Sequence, residues 1–188
     1  MDWIPLQPND VILDVGCGDA NVLLQWATLV SSSIHESNND NHNDNHTKNS
    51  TAIIKFLGIE IDKERAALAT ENVERAYREG MLDRNKVTIQ IHCGNALDND
   101  SMSDWFAQAT IVFLYLIPRG LRLIQPLLRT AATTATATNR GKSPLRVITY
   151  MSPLAEEMLV SQRYCTVKHQ PGSAWPLYLY HIVGKKQM

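Results

Sequence analysis

The stretch VILDVGCGDANVLLQW, residues 11–26, decides the fold. Its first five residues form a short, almost entirely apolar run, which is typical of a strand buried on both faces of a parallel sheet. Glycines follow at positions 16 and 18, and the apolar residues after them recur at helical spacing. A strand, a glycine turn and a helix in this order indicate an α/β fold, in which ligands bind beyond the carboxyl ends of the strands.

The same alternation of strands and helices continues along the chain. Further strands are predicted at 53–61, 86–94, 110–118 and 144–150, and helices at 21–30, 62–80, 101–109, 119–132 and 153–162. Two last strands, 164–170 and 176–183, are predicted to form a hairpin around the loop PGSAW. The sequence therefore predicts three layers, with helices on both faces of a seven-stranded, mostly parallel sheet that ends in a C-terminal antiparallel β-hairpin.

Composition and charge exclude several classes of protein. The 188 residues are predicted to form a single domain over 1–188. The net charge of −1 provides no positive electrostatic potential that would attract nucleic acid or anionic membranes. The longest apolar run, TIVFLYLIP, is far shorter than the ~20 residues that span a bilayer. Three cysteines without CxxC spacing and a start without a signal peptide predict the cytoplasm.

One segment differs in composition from the rest of the chain. Residues 31–51 are dominated by Asn, Asp, Ser and His and contain one isoleucine. Because the segment has too few apolar side chains to order itself, we predict a disordered, low-complexity insertion in a surface loop. His42 and His46 are four residues apart but have no helix-forming context, and no metal site is predicted.

Three polar residues stand at the ends of the first three predicted strands. Asp14 precedes the glycine turn, Glu60 ends the second strand, and Asn95 follows the third. Asn21 stands where a dinucleotide turn, G-x-G-x-x-G, needs its third glycine, which disfavours NAD. Asp14 suits a ligand with a cationic group, and Glu60 can accept hydrogen bonds from both hydroxyls of a ribose. Asn95, with the amide of Ala96 beside it, can bond an adenine edge. Taken singly, each residue has a structural alternative. Asp14 is then a residue that braces the turn, Glu60 a solvated acid at a strand end, and Asn95 an Asx-turn residue.

The motifs VILDVGCGDA, FLGIEID and CGNALD resemble the first three motifs of the class I S-adenosylmethionine-dependent methyltransferases. The resemblance covers nearly the whole chain and implies a Rossmann-like sheet with S-adenosyl-L-methionine as co-substrate. By that match the methionine portion is held by Asp14, Gly16 and Gly18, the ribose by Glu60, and the adenine by Ile61, Asn95 and Ala96. The family more often has aspartate at the position of Asn95 and often glycine at that of Ala20.

The acceptor is read mainly at the end of the fourth strand. Methyl transfer from a sulfonium needs alignment and no fixed general base, although an amine acceptor must arrive deprotonated. Where enzymes that methylate planar amides or base amines share an Asn/Asp-Pro-Pro-aromatic sequence, this chain has FLYLIPRG. The segments IVFLYLIPRGLRLIQPLLR, LRVITYMSPL and PLYLYHI instead resemble the family of lysine methyltransferases that modifies the c subunit of ATP synthase, which implies a protein lysine as acceptor. Tyr115, Tyr150 and Trp175 are candidates to hold its ammonium group, or ordinary rings at strand ends.

Other functions stay open at this point. A small-molecule acceptor is the nearest alternative, followed by a non-catalytic scaffold that binds S-adenosylmethionine, and then by a nicotinamide dehydrogenase. The expected partners are a protein or small-molecule acceptor, with no nucleic acid. Methyltransferases of this class commonly cover the site with an N-terminal helix, whereas only MDWIPLQPND precedes the first strand. A short lid formed by Trp3 and Ile4, a partner protein or a missing segment would explain this.

Overall fold

Seven strands and four helices alternate in the computed structural model, which describes residues 3–36, 53–138, 143–167 and 170–184. They are β1 (Val11–Val15), α1 (Asn21–Glu36), β2 (Ile54–Glu60), α2 (Lys63–Arg78), β3 (Val87–Cys93), α3 (Asn99–Gln108), β4 (Ile111–Leu114), α4 (Pro118–Thr138), β5 (Leu145–Tyr150), β6 (Leu159–Val167) and β7 (Gln170–Ile182). The sheet order is β3-β2-β1-β4-β5-β7-β6, and β7 runs antiparallel to both of its neighbours. The predicted seven-stranded, mostly parallel sheet with a C-terminal antiparallel hairpin is confirmed.

The central strands are apolar on both faces because each face carries its own core. Along β1, Ile12 belongs to the core under α1 and α2, whereas Leu13 belongs to the core under α3 and α4. Phe56 and Leu57 divide in the same way on β2. Side chains alternate between the two faces of a strand. A residue at a strand end therefore lies on the same face as the residue two positions before it.

The first four predicted helices are confirmed, and three of them are longer than predicted. The side chain of Asp62 caps α2 by accepting from the amides of Glu64 and Arg65 at 2.9 and 3.0 Å, as expected for an N-cap acid. α1 continues to Glu36, six residues into the predicted insertion, and the rest of that insertion lies outside the described residues. α3 begins at Asn99 rather than 101, and α4 runs to Thr138 with Pro126 inside it.

The predicted helix over 153–162 is wrong. Residues 151–158 are irregular, and Met151 and Glu156 have φ of +68° and +61°. The amide of Leu154 donates to the hydroxyl of the buried Tyr180 at 3.0 Å, and the following residues join β6. Contacts with the distant strand β7 therefore override the local helical pattern.

The predicted hairpin loop, residues 171–175, is also wrong. These residues lie within β7, which begins at Gln170, whereas β6 ends at Val167; residues 168–169 lie outside the described residues. The pairing register shifts between Thr166 and Val167, opposite the segment where Gly172 takes a φ of +90°. The glycine and its neighbouring proline thus mark an irregularity inside a strand instead of a turn.

A buried ion pair fastens the N-terminal segment to the amino edge of the sheet. Asp10 lies 2.5 Å from a guanidinium nitrogen of Arg146 on β5, and both side chains are largely buried. Asp10 also accepts hydrogen bonds from the hydroxyl of Thr110 and the amide of Gln7. This cluster fixes the chain just before β1, at the edge opposite to the glycine turn. No helix among the described residues is long and apolar enough to cross a membrane.

Candidate functional site

The turn after β1 is built on backbone with positive φ. Gly16 and Gly18 have φ of +80° and +58°, and Ala20 has +66°. The amides of Gly16 and Cys17 both donate to the carbonyl of Ile59 on β2, at 2.8 and 3.1 Å. Glycine adopts this backbone without a penalty from Cβ, so the chain reverses tightly at the carboxyl edge and enters α1.

Glu60 ties the first two β–α turns together. Its Oε2 accepts from the amide of Gly18 at 2.8 Å, and its Oε1 accepts from the amide of Asp62 at 2.9 Å. Hydrogen bonds to a charged group contribute about 1.5–3 kcal/mol each. An ionised carboxyl has about four lone-pair sites, so the buried side chain keeps acceptor capacity for a ligand hydroxyl. Glu60 therefore braces the glycine turn in addition to the ribose role predicted for it.

Asp14 is buried at the end of β1, within the field of Glu60. It is 3% exposed and pairs in the sheet with Gly58 of β2 and Phe113 of β4. Burial, and after it the negative charge of Glu60, raises the pKa of Asp14 to about 7. Because an approaching cation favours the ionised form, this pair of acids is suited to a ligand that carries a sulfonium or ammonium charge.

A cavity of about 180 Å³ opens beside the glycine turn. It lies at the carboxyl ends of the first strands and against the start of α4, and its mainly apolar wall includes Val15, Gly16, Ile61, Ala96, Leu116 and Gly120. Pockets that enclose a whole ligand measure about 300–1,000 Å³. The cavity is therefore of a size for one flat portion of a larger ligand.

Four of the seven predicted cofactor residues line this cavity, namely Gly16, Ile61, Asn95 and Ala96, and three, Asp14, Gly18 and Glu60, do not. The alternation along β1 and β2 puts both carboxylates on the α1 face, whereas Val15 and Ile59, which line the cavity, face α4. The acid pair and the cavity are neighbouring regions on either side of the glycine turn, and the cavity does not include the acids.

Asn95 adopts the structural alternative that the sequence left open. Its Oδ1 accepts from the amide of Leu97 at 3.0 Å and so forms an Asx turn. The same oxygen has a second lone pair for a ligand amino group. Ile61 stands at the cavity mouth with 67% of its surface exposed, and a flat ligand stacked on it would remove that apolar surface from water.

Tyr115 and Tyr150 form an edge-to-face pair where β4 and β5 end. Their ring centroids are 4.9 Å apart, with 66° between the planes, and Tyr115 is 58% exposed. Burial, followed by the nearby Cys165 and Tyr115, raises the pKa of Tyr150, so its hydroxyl stays protonated at neutral pH. Trp175 lies on β7 opposite Cys165, two residues beyond the partner of Tyr150. The structure thus brings two of the three predicted aromatic residues into contact.

Sequence reasoning did not identify the contact between Cys17 of the glycine turn and Gly58 of β2. A Cβ at Gly58 would lie 2.8 Å from Cys17 Sγ and from Ile91 Cδ1, so the glycine leaves the space that the Cys17 side chain fills. Burial is the largest cause that raises the pKa of the Cys17 thiol to about 12. The side chain therefore stays protonated at neutral pH. The available signal was a glycine inside the apolar strand FLGIE, which marks a close approach. Leu116 and Gly120, on the cavity wall, were missed as well.

Within the described ranges, no group of three or more His, Cys, Asp or Glu side chains is placed to hold a metal ion. The polar groups described above at the carboxyl edge are the carboxylates of Asp14 and Glu60 and the side-chain amide of Asn95, which suit hydroxyl, cationic and amino groups.

Comparison with known proteins gives structural neighbours only. No protein-family model matches the chain, and no curated protein matches its sequence. An RNA methyltransferase from Salinibacter ruber, solved with S-adenosyl-L-homocysteine, is 18% identical with a TM-score of 0.59, over 97% of this chain and 85% of its own.

Two further neighbours are S-adenosylmethionine-dependent methyltransferases. The protein from Methanosarcina mazei is 11% identical with a TM-score of 0.56, over 98% of this chain and 100% of its own. The protein from Neisseria gonorrhoeae is 18% identical with a TM-score of 0.56, over 95% of this chain and 68% of its own. Likeness at these identities establishes a shared fold, and the fold predicted from the three motifs is confirmed.

Proposed function

We propose that this chain, which has the fold of the class I S-adenosylmethionine-dependent methyltransferases, binds S-adenosyl-L-methionine and transfers its methyl group. The observation that carries the proposal is the position of Asp14 and Glu60 at the carboxyl ends of β1 and β2, where Glu60 accepts from the Gly18 amide of the glycine turn and an apolar cavity opens on the other side of that turn. The Salinibacter ruber neighbour was solved with S-adenosyl-L-homocysteine, which supports the same ligand class for this chain.

The residues present fit the parts of that co-substrate. Ile61 and Ala96 offer apolar surface for a flat base, and Glu60 has acceptor capacity for ribose hydroxyls. Asp14 is 3% exposed, so little water would screen the attraction between its ionised carboxylate and the sulfonium charge of the co-substrate. The co-substrate supplies a methyl group that is already activated by a sulfonium, so the protein contributes mainly by holding the reacting groups in line.

For the acceptor we propose a lysine side chain of a protein. The support is the edge-to-face pair of the exposed Tyr115 and the half-buried Tyr150 at the same edge of the sheet, because tyrosine faces attract ammonium groups by about 0.5–2 kcal/mol. The Tyr150 hydroxyl stays protonated at neutral pH and therefore serves as a hydrogen-bonding group rather than a base. The cytoplasm stays the predicted location, since three unpaired cysteines suit a reducing compartment.

The experiment is a transfer assay with tritiated S-adenosylmethionine and cell extract, in which label is counted separately in protein, RNA and small molecules. We expect label in protein, and we expect Tyr115→Ala to reduce it at least tenfold without changing the affinity for S-adenosylhomocysteine. Tyr164→Ala is the matched control, because Tyr164 is similarly exposed, at 66%, but lies on β6. Label in small molecules or RNA contradicts the lysine acceptor, and no label despite tight binding identifies a scaffold.

A further inference from the structure

Asp14 is a buried acid without a partner in the part of the chain that the structure describes. Its side chain is buried at the carboxyl edge, and no described donor or cation contacts its carboxyl group. A buried carboxyl normally accepts hydrogen bonds or pairs with a cation, because burial of an unpaired charge is costly. In the absence of such a partner, the carboxyl either keeps a proton or meets a positive charge that a ligand supplies.

The neighbouring acid, Glu60, is held differently. It follows Gly58, the β2 partner of Asp14, by two residues, so both acids lie on the α1 face, with Glu60 about 7 Å further along the strands. Each oxygen of Glu60 accepts from a backbone amide, Oε2 from Gly18 and Oε1 from Asp62. Donors on both oxygens favour the ionised form of a carboxyl, so Glu60 carries the negative charge of the pair.

The other described groups around Asp14 on the α1 face bring no positive charge. α1 contains neither lysine nor arginine, and its only histidine, His35, lies in its last turn, at the end opposite to the glycine turn. Lys63 and Arg65, at the start of α2, are exposed, and the described ion pairs include neither of them. The remaining titratable neighbours are acids, thiols and one phenol, namely Glu60 on β2, Cys93 beside it on β3, Tyr115 two residues beyond Phe113 on β4, and Cys17 and Asp19 in the glycine turn. The described residues thus provide no counter-ion, which leaves this role to a ligand.

Without a counter-ion, the free site keeps its proton on Asp14. Burial, and after it the charge of Glu60, raises the pKa of this carboxyl to about 7, in agreement with the geometry. A positive charge placed beside Asp14 lowers that pKa again, because it favours the ionised form. The apolar cavity on the other side of the glycine turn would hold the flat, uncharged part of the same ligand. The proton and the cationic part of the ligand therefore compete for one carboxyl group.

We propose that S-adenosylmethionine expels the proton of Asp14 when it binds, so that the buried acid pair exchanges a proton for the cationic part of the co-substrate. The O–H bond of the carboxyl breaks, its proton passes to the solvent, and the carboxylate stays paired with the positive charge of the ligand. This inference rests on the proposed binding of S-adenosylmethionine and adds its regulation by pH. Because one proton competes with the ligand, the affinity should fall by up to tenfold for each pH unit below about 7.

Calorimetric titration measures the expelled proton directly. S-adenosylmethionine is titrated into the wild type and into Asp14→Asn at about pH 6 and about pH 7.5, on either side of this pKa, in phosphate and in imidazole buffer. These buffers differ in their enthalpy of ionisation, so the difference in heat between them counts the protons released. The wild type should release about 0.9 proton more than Asp14→Asn at the lower pH and about 0.2 more at the higher pH. The wild-type dissociation constant should be roughly eightfold larger at the lower pH.

Asp19→Asn is the matched control, because Asp19 is the other acid of the glycine turn and its carboxylate accepts from Asn21. This variant should release as many protons as the wild type. Two analogues test the wild type without any substitution. 5′-Methylthioadenosine, which has neither the ammonium nor the sulfonium group, should release no proton. S-adenosylhomocysteine keeps only the ammonium group, so its release of a proton assigns the expelling charge to the ammonium, and no release assigns it to the sulfonium.

The outcomes separate this inference from the proposed function. The inference is overturned if S-adenosylmethionine binds the wild type with the same affinity at both pH values, or if Asp14→Asn releases as many protons as the wild type at the lower pH. Equal proton release by 5′-methylthioadenosine and S-adenosylmethionine also overturns it, because a neutral ligand then suffices. Failure of the wild type to bind S-adenosylmethionine at either pH contradicts the proposed function itself, whereas binding without proton release contradicts only the exchange at Asp14.

Discussion

Replacing Asp14 by asparagine tests the electrostatics of the site. Asp14 is 3% exposed, and burial, then Glu60, raises its pKa from 3.8 to about 7. Because the folded pKa is the higher one, between about pH 4 and pH 7 the folded chain holds a proton that the unfolded chain has lost. The stability from this proton is fully present below about pH 4 and falls by about 1.4 kcal/mol per pH unit until about pH 7.

Asp14→Asn has nearly the same size and cannot ionise, so this loss of stability should disappear. In urea unfolding, the free energy of unfolding of the variant relative to that of the wild type should rise by roughly 3 kcal/mol between about pH 5 and about pH 7.5. Asp104→Asn, an exposed acid on α3, should follow the wild-type profile. The same Asp14→Asn variant should bind S-adenosylmethionine at least tenfold more weakly at the higher pH. Parallel profiles for wild type and Asp14→Asn would refute the reasoning.

Three further substitutions test the framework around the site by urea unfolding. Asp10→Ala leaves the guanidinium of Arg146 buried without its partner and should cost about 3–5 kcal/mol; a cost below 1 kcal/mol would contradict this account of the amino edge. Gly58→Ala should cost about 1–3 kcal/mol through its clash with Cys17 Sγ, and adding Cys17→Ala should recover part of that cost; no recovery would point to another neighbour. Tyr180→Phe removes the hydroxyl that accepts from the amide of Leu154, so that this buried amide loses its partner, and should cost about 1–3 kcal/mol. Wild-type stability of this variant would show instead that water replaces the hydroxyl.

The glycine turn was predictable because its determinants are local. An apolar run that contains Asp14 and ends at Val15, followed by Gly16 and Gly18, fixes a buried strand and a left-handed reversal within a few residues. The parallel direction of the first five strands was predictable as well, because strands that alternate with helices return in the same direction. Sequence also located the two acids near the strand ends, since Asp14 is the penultimate residue of β1 and Glu60 is the last residue of β2.

The rest depended on contacts between distant parts of the chain. Glu60 accepts from the amide of Gly18, 42 positions earlier, a bond that neither motif encodes. Residues 153–162 have a helical pattern, but Glu157 is held by Arg129 of α4, and the segment after it pairs with β7. Competing long-range contacts decide such segments.

The central claim is that the carboxyl edge binds an adenosyl sulfonium through its acid pair. The most direct measurement is calorimetric titration of S-adenosylmethionine and NAD into the wild type and into Glu60→Ala, after circular dichroism has established that the variant is folded. We predict binding of S-adenosylmethionine but not of NAD, and an affinity for S-adenosylmethionine at least tenfold weaker in Glu60→Ala. Binding of NAD alone, or an unchanged dissociation constant in the variant, would contradict the claim.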